Sequence, residues 1–244
     1  MAKMTQDDLV AQLKAIYAAD LACVALYGSA ARGEHITRRS DLNVIVVVEQ
    51  VTMDHLRKES PVARAWRDAG NPPPLTLSRR EWAGSADIFP IEYSDILTHH
   101  RVLHGALPLD GVRVQLSDLR LQLEHESMST LLRLRHAVLG AAADSQALLV
   151  LMEESASTML VLLRALLRML GEQPPTDSDA VCARVTERAA LDTEVLRQVL
   201  RHRRGSAKLA LDQGLALMES YLGCAESLVQ FLDAYVEGST RATE

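Results

Sequence analysis

The sequence predicts an α+β protein with a small α/β domain over residues 1–115 and an all-α helical bundle over residues 116–244. Up to residue 115, short aliphatic or β-branched runs alternate with amphipathic helical patterns. Beyond that point only helical patterns follow. With 244 residues and 48% hydrophobic content, the chain is long enough for one large or two modest domains.

The first domain begins with a helical pattern followed by two apolar runs. Thr5 and Asp8 have the spacing of a helix cap, which predicts a helix over 5–19. The runs Leu21–Tyr27 and Val44–Val48 are bounded by turn-forming residues, as is typical of buried strands. The remaining predicted elements are a helix over 52–69, an extended segment over 75–77 and a short strand over 89–93.

The second domain is predicted to consist of helices joined by short connections, which usually pack antiparallel. We expect helices capped by Ser117 and by Asp144, the latter ending at Gly171, and further helices over 179–190, 192–203 and 206–236. Charged residues interrupt the most apolar region, 147–170. We therefore expect a buried bundle helix there and no segment able to span a membrane.

A phosphate-binding loop is predicted between the first two strands, at Gly28-Ser29-Ala30-Ala31-Arg32-Gly33. Glycine lets the backbone approach an anion closely, and a serine hydroxyl and backbone N–H groups can donate hydrogen bonds to it. Arg32 suits a bidentate contact with phosphate, and it equally suits a solvated position in the loop. The candidate binding residues are Gly28, Ser29, Arg32 and Gly33.

Two polar residues, Asp41 and Asn43, stand where the second strand begins. Side chains alternate across a strand, so residues two positions apart point to the same side. We therefore expect both side chains to face the glycine loop.

This arrangement resembles the polymerase β type nucleotidyltransferase superfamily, whose signature is Gly-Ser followed, after a spacer, by Asp-hydrophobic-Asp on the neighbouring strand. The resemblance covers roughly the first half of the chain. It implies a mixed-sheet domain of minimal or aminoglycoside-nucleotidyltransferase type, followed here by a helical bundle. It also implies that the glycine loop binds a nucleoside triphosphate and that Asp41, Asn43 and a third acid hold Mg²⁺ or Mn²⁺.

Glu92 is the candidate for the third acid, so Asp41 and Glu92 are the predicted catalytic residues. Glu92 alternates with Ile91 and Tyr93 in the expected strand. A shift of a few residues in register would put Asp87 or Asp95 in its place.

Asn43 departs from the signature, because it offers one neutral carbonyl oxygen where the superfamily has a carboxylate. Mg²⁺ prefers anionic oxygen ligands, so the affinity for a second cation should fall. Two hypotheses follow from this departure. The chain transfers a nucleoside monophosphate to a small hydroxylated or amine acceptor, or it is an inactive nucleotide sensor or partner module.

The amino-acid composition limits the kinds of partner that we expect the protein to bind. The net charge of −6 and the pI near 5.8 argue against a nucleic-acid backbone as ligand and favour a small-molecule acceptor. Three widely spaced cysteines indicate neither a disulfide framework nor a zinc site, so we expect a cytoplasmic protein. Exposed faces of the bundle would allow a homodimer.

Three other clusters have plainer interpretations. The histidines at 99, 100 and 104 have spacing that a metal site could use, but no carboxylate or cysteine accompanies them and a surface turn is expected. The resemblance to the aminoglycoside nucleotidyltransferases implies that Glu124 or Glu126, in the helical bundle, could act as the base for an acceptor hydroxyl. Both residues could equally be part of a solvated helix face. Arg197 and His202 have the spacing of the HEPN ribonuclease toxins, but their arginine-rich surroundings favour a chance match.

Overall fold

The computed structural model describes residues 3–33, 41–141 and 144–235. Contacts divide the chain into two compact units, Met1–Asp118 and Leu119–Glu244. The first combines a mixed sheet with helices, and the second is helical in its described residues. The predicted α+β class is confirmed.

The sheet of the first unit has strands β1 (Leu21–Tyr27), β2 (Asn43–Val48), β3 (Leu75–Ser78) and β4 (His100–Gly105) in the order β3-β2-β1-β4. Strand β1 runs antiparallel to β2 and β4, whereas β2 and β3 are parallel. The surface turn expected around the histidines is therefore wrong, since residues 100–105 form an edge strand. The buried strand β1 needs a hydrogen-bonding partner on each side, and β4 is that partner on one of them.

Helices cover both faces of this sheet. They are α1 (Gln6–Tyr17), α2 (Met53–Asp68), α3 (Arg79–Gly84) and α4 (Pro90–Thr98). On one face Leu9, Leu13 and Trp66 pack against alternate residues of β1 and β2. On the other face Trp82 and Tyr93 pack against the remaining ones. Because both faces are covered, β1 and β2 are apolar almost throughout.

The predicted strand over 89–93 is wrong, because this segment opens helix α4. Proline is favoured at the first helical position, where its fixed φ suits the helix and its missing N–H costs nothing. Pro90 occupies that position, and Glu92 lies in the first turn, where a carboxylate is favoured by the helix dipole. Glu92 is therefore carried by a helix, and its side chain is exposed.

The second unit contains most of α5 (Leu116–Ala141), together with α6 (Ser145–Met169), α7 (Ser178–Ala189), α8 (Glu194–Arg204) and α9 (Gly214–Ala234). Helix α6 is central and packs against α7, α8 and α9. Asp144 caps α6 as expected, accepting from the N–H groups of Gln146 and Ala147. Ser117 lies inside α5 and does not cap it. The last helix begins at Gly214, later than expected.

By length and composition alone, α6 is apolar enough to cross a membrane, so the expectation that no segment would be is wrong. The same composition suits a helix buried in a bundle, and most α6 side chains facing its neighbours are buried. Arg164 is also buried on this helix and donates to the carbonyl of Thr176 at 2.8 Å.

Gly105 allows a test of the β1–β4 contact. It has φ +69°, and a Cβ there would lie 2.0 Å from the carbonyl oxygen of Ala22 in β1. Gly105→Ala should therefore lower the free energy of unfolding of the first unit by roughly 3 kcal/mol or more, from backbone strain and overpacking together. Urea titration followed by tryptophan fluorescence measures this unit alone, since both tryptophans, Trp66 and Trp82, belong to it.

The matched control is Gly111→Ala. Gly111 has φ +78°, but a Cβ there would meet nothing within 4 Å. This change should cost only the strain of the left-handed conformation, on the order of 1–2 kcal/mol. Equal losses in the two variants would contradict a close β1–β4 contact at Gly105.

Candidate functional site

The loop after β1 turns sharply at Gly28. Gly28 has φ +73° and begins a 3₁₀ turn over Gly28–Ala30. The N–H groups of Ala31 and Arg32 donate to its carbonyl at 3.2 and 3.3 Å. A Cβ on residue 28 would lie 3.0 Å from Nδ2 of Asn43. The Asn43 side chain therefore lies directly against the glycine, and a Cβ there would push it away by a few tenths of an ångström and strain the left-handed backbone.

The register of the sheet explains why Asn43 reaches the loop. Asn43, the first residue of β2, pairs with Tyr27, the last residue of β1. By strand alternation both share the face on which α3 and α4 pack. Asp41 lies just before the strand and is exposed. Between them, the N–H of Leu42 donates to Oδ1 of Asn71 at 3.0 Å, which fixes the chain where it enters β2.

Arg32 anchors the loop to α4. Its Nη1 donates to both carboxylate oxygens of Asp95, at 2.7 and 2.6 Å. The two side chains are only 6% and 16% exposed, respectively. Of the two interpretations of Arg32, the solvated loop arginine is therefore wrong. A charge-assisted contact this well shielded from water holds the loop against the helix.

Two acids of α4, Glu92 and Asp95, lie near the side chain of Tyr27. Burial raises the pKa of its hydroxyl, and the negative charges of Glu92 and Asp95 raise it further. Both carboxylates are thus close enough to act on a residue that adjoins Gly28. Tyr27 was not singled out from the sequence, although its position at the end of β1, directly before the glycine, was the available signal.

The three candidates for the third acid have different surroundings. Glu92 is exposed in the first turn of α4. Asp95 is paired with Arg32. Asp87 lies between α3 and α4, and its charge helps to raise the pKa of Tyr93, whose hydroxyl donates to the carbonyl of Trp82 at 2.8 Å. The strand parallel to β2, Leu75–Ser78, carries no acid. Of the three candidates, Glu92 and Asp95 lie on α4, and Asp87 lies just before it.

The donor set fits one divalent cation better than two. Asp41 and Glu92 offer carboxylate oxygens, and Asn43 offers an amide oxygen, which are the ligand types that Mg²⁺ prefers. Two carboxylates balance the charge of a single divalent ion. Within residues 3–33, 41–141 and 144–235, no three His, Cys, Asp or Glu side chains come together as a metal-binding group.

The remaining candidates are held in local contacts. Nδ1 of His100 lies 2.8 Å from the carbonyl of Ile96. Glu124 is paired with Arg120 at 2.9 Å. Arg197 is paired with Glu194, while His202 lies 3.1 Å from Glu153. Arg197 and His202 are thus bound to different carboxylates.

Comparison with solved structures confirms the fold. The spectinomycin adenyltransferase AAD(9) from Enterococcus faecialis, whose structure was solved with ATP and spectinomycin, superimposes with a TM-score of 0.57 at 14% identity. The match covers 93% of this chain and 98% of that one. The chain therefore shares the fold of this adenyltransferase, in agreement with the nucleotidyltransferase fold that the sequence resemblance predicted. No protein-family model and no curated protein matches the sequence.

The Arg32–Asp95 pair gives a stability test of the site. Asp95→Ala would leave a nearly buried guanidinium without this carboxylate, and we expect a loss on the order of 3 kcal/mol in the free energy of unfolding of the first unit. The measurement is urea unfolding followed by tryptophan fluorescence. Asp54→Ala is the control, because Asp54 pairs with Arg57 and Lys58 on the exposed surface of α2. Similar losses in both variants would mean that Arg32 does not depend on Asp95.

Proposed function

We propose that this chain binds a nucleoside triphosphate at the loop after β1 and transfers its nucleoside monophosphate to a small molecule bearing a hydroxyl or amine. The observation that carries the proposal is the contact of Gly28 with Asn43, which joins the loop to the start of β2 beside the two acids of α4. The full-length fold similarity to an enzyme solved with ATP and spectinomycin supports it.

The loop would bind the phosphates. Glycine at residue 28 leaves space for an anion to approach the backbone, and the Ser29 hydroxyl and loop N–H groups are donors of the kind that bind phosphate. The Arg32 guanidinium is paired with Asp95 and holds the base of this loop against α4. Gly33, at φ +77°, ends the turn.

Asp41, Asn43 and Glu92 would hold the Mg²⁺ or Mn²⁺ that such a reaction uses, and the cation would offset the negative charge of the triphosphate. Glu92 is exposed to solvent on α4. As general base its carboxylate would take the acceptor's proton as the acceptor oxygen or nitrogen bonds to the α-phosphorus. The bond from that phosphorus to pyrophosphate breaks in the same step.

A second candidate is a nucleotide-binding module without transfer. The specific observations in its favour are that Asn43 is neutral, that β3 has no carboxylate and that Asp95 is engaged by Arg32. Each removes negative charge from the place where catalytic cations would be held. Such a protein would bind nucleotide and signal through its helical unit.

Calorimetric titration with non-hydrolysable ATP, GTP, CTP and UTP analogues, each with and without Mg²⁺ or Mn²⁺, tests the binding step common to both candidates. We expect cation-dependent binding that Asp41→Ala abolishes, since a carboxylate ligand is lost. Asp7→Ala, an exposed acid of α1 on the other face of the sheet, should leave binding unchanged. No binding of any analogue would refute both candidates.

The Asn43→Asp variant distinguishes the transferase from the nucleotide-binding module. The change keeps the shape of the side chain and adds a charge, so cation affinity should rise by about tenfold or more. Pyrophosphate release with a panel of hydroxylated and aminated acceptors measures transfer. Turnover by the native chain that exceeds Asp41→Ala supports the transferase. Turnover that appears only in Asn43→Asp supports the module.

A further inference from the structure

Helix α5 carries a line of exposed apolar side chains within the second unit. Leu121, Met128, Leu132 and Leu139 are 69%, 41%, 54% and 81% exposed. At about 100° per residue, these four positions lie within roughly 40° of one another around the helix. Single exposed leucines are ordinary on a protein surface, but four exposed apolar side chains aligned on one side of a helix form a candidate interaction surface.

The row lies opposite the buried side of the same helix. The buried residues of α5 are Leu119, Leu123, Ser127, Thr130, Leu131 and Leu134. Their positions around the helix centre on the side facing away from the exposed row. Helix α5 is therefore apolar on two sides, and one of them is buried among the residues that the structure describes.

We propose that this exposed row binds the same row on a second copy of the chain, with the two α5 helices antiparallel. The four positions are symmetric about Thr130: Leu121 and Leu139 are equally distant from it, and so are Met128 and Leu132. A twofold axis at Thr130 therefore places Leu121 of one copy opposite Leu139 of the other. It likewise places Met128 opposite Leu132. Such self-complementarity is what an isologous dimer contact requires.

The charges of α5 favour the same arrangement. Residues 116–128 contain three acids and one arginine, whereas residues 129–141 contain two arginines and no acid. Antiparallel pairing brings the acidic half of each helix against the basic half of the other. Glu124 and Arg135, along one edge of the row, are paired within the chain with Arg120 and Glu226, so the complementarity is that of the net charges of the two halves. Parallel pairing would oppose like charges instead.

An anionic membrane surface suits the row less well. Glu124, beside the row, and Asp118 and Glu126, in the same half of the helix, are acids, and the chain as a whole is acidic. Helices that lie on anionic lipid instead flank their apolar face with lysine and arginine. A second copy supplies both the apolar surface and the opposite charges.

Sedimentation equilibrium of the full-length protein across micromolar concentrations tests the dimer. We expect a monomer–dimer equilibrium that Leu132→Glu weakens by at least about tenfold, because charge enters the centre of the contact. Leu215→Glu is the matched control, since Leu215 is 57% exposed on α9, outside the row, and it should leave the equilibrium unchanged. A monomer at all concentrations, or a dimer that Leu132→Glu does not weaken, would overturn the proposal.

Cross-linking tests the orientation of the helices. Leu121→Cys and Leu139→Cys are prepared separately, then oxidised alone and as a mixture. The three native cysteines are buried, and burial raises the pKa values of Cys23 and Cys182 to about 11, which keeps their background reactivity low. Antiparallel pairing predicts a disulfide-linked dimer in the mixture only. A linked dimer in either variant alone would indicate parallel pairing and overturn the assignment.

Discussion

The site depends on the close approach of the Asn43 side chain to Gly28. Glycine is favoured at residue 28 because φ is +73° and a Cβ would lie 3.0 Å from Nδ2 of Asn43. Asn43 is fixed in turn by its pairing with Tyr27. The same turn directs Arg32 to Asp95, so the positions of the loop, the start of β2 and helix α4 are linked through one glycine.

The two faces of the sheet differ in whether their glutamates are buried or exposed. On the α1–α2 face, Glu59 is buried and accepts hydrogen bonds from the hydroxyls of Tyr17 and Thr76, at 2.5 and 2.9 Å. Its oxygens are thus satisfied by neutral donors inside the core. On the other face Glu92 is exposed beside Tyr27, where its carboxylate can meet a ligand. We therefore place the function on the α3–α4 face.

Elements whose ends are determined by residues close in the sequence could be predicted from the sequence. Thr5 and Asp8 cap α1 reciprocally, and the apolar run of β1 begins and ends at the predicted residues. The strand predicted around Glu92 is wrong because Pro90 starts a helix. Edge strand β4 was missed because its polar sequence carries no alternating pattern, and its pairing is determined by β1.

Long-range contacts were beyond prediction from one sequence. Arg32 and Asp95 are 63 residues apart in the chain, and nothing near either residue indicates the other. Only the packing of α4 on the sheet brings them together. The sharp turn at Gly28 could be predicted from neighbouring residues, and its role in binding phosphate stays a prediction. That residue 43 is an asparagine is plain in the sequence, whereas the structure was needed to show that β3, the strand parallel to β2, carries no acid.

The most direct test of this account is hydrogen–deuterium exchange of the backbone amides, with and without a non-hydrolysable nucleotide analogue and Mg²⁺. We expect slower exchange at residues 28–33 and at the start of β2 when the nucleotide is present, because loop N–H groups would donate to phosphate. Asp41→Ala should abolish this protection. Protection confined to the helical unit, with unchanged exchange in the loop, would contradict the claim that the Gly28 loop is the nucleotide site.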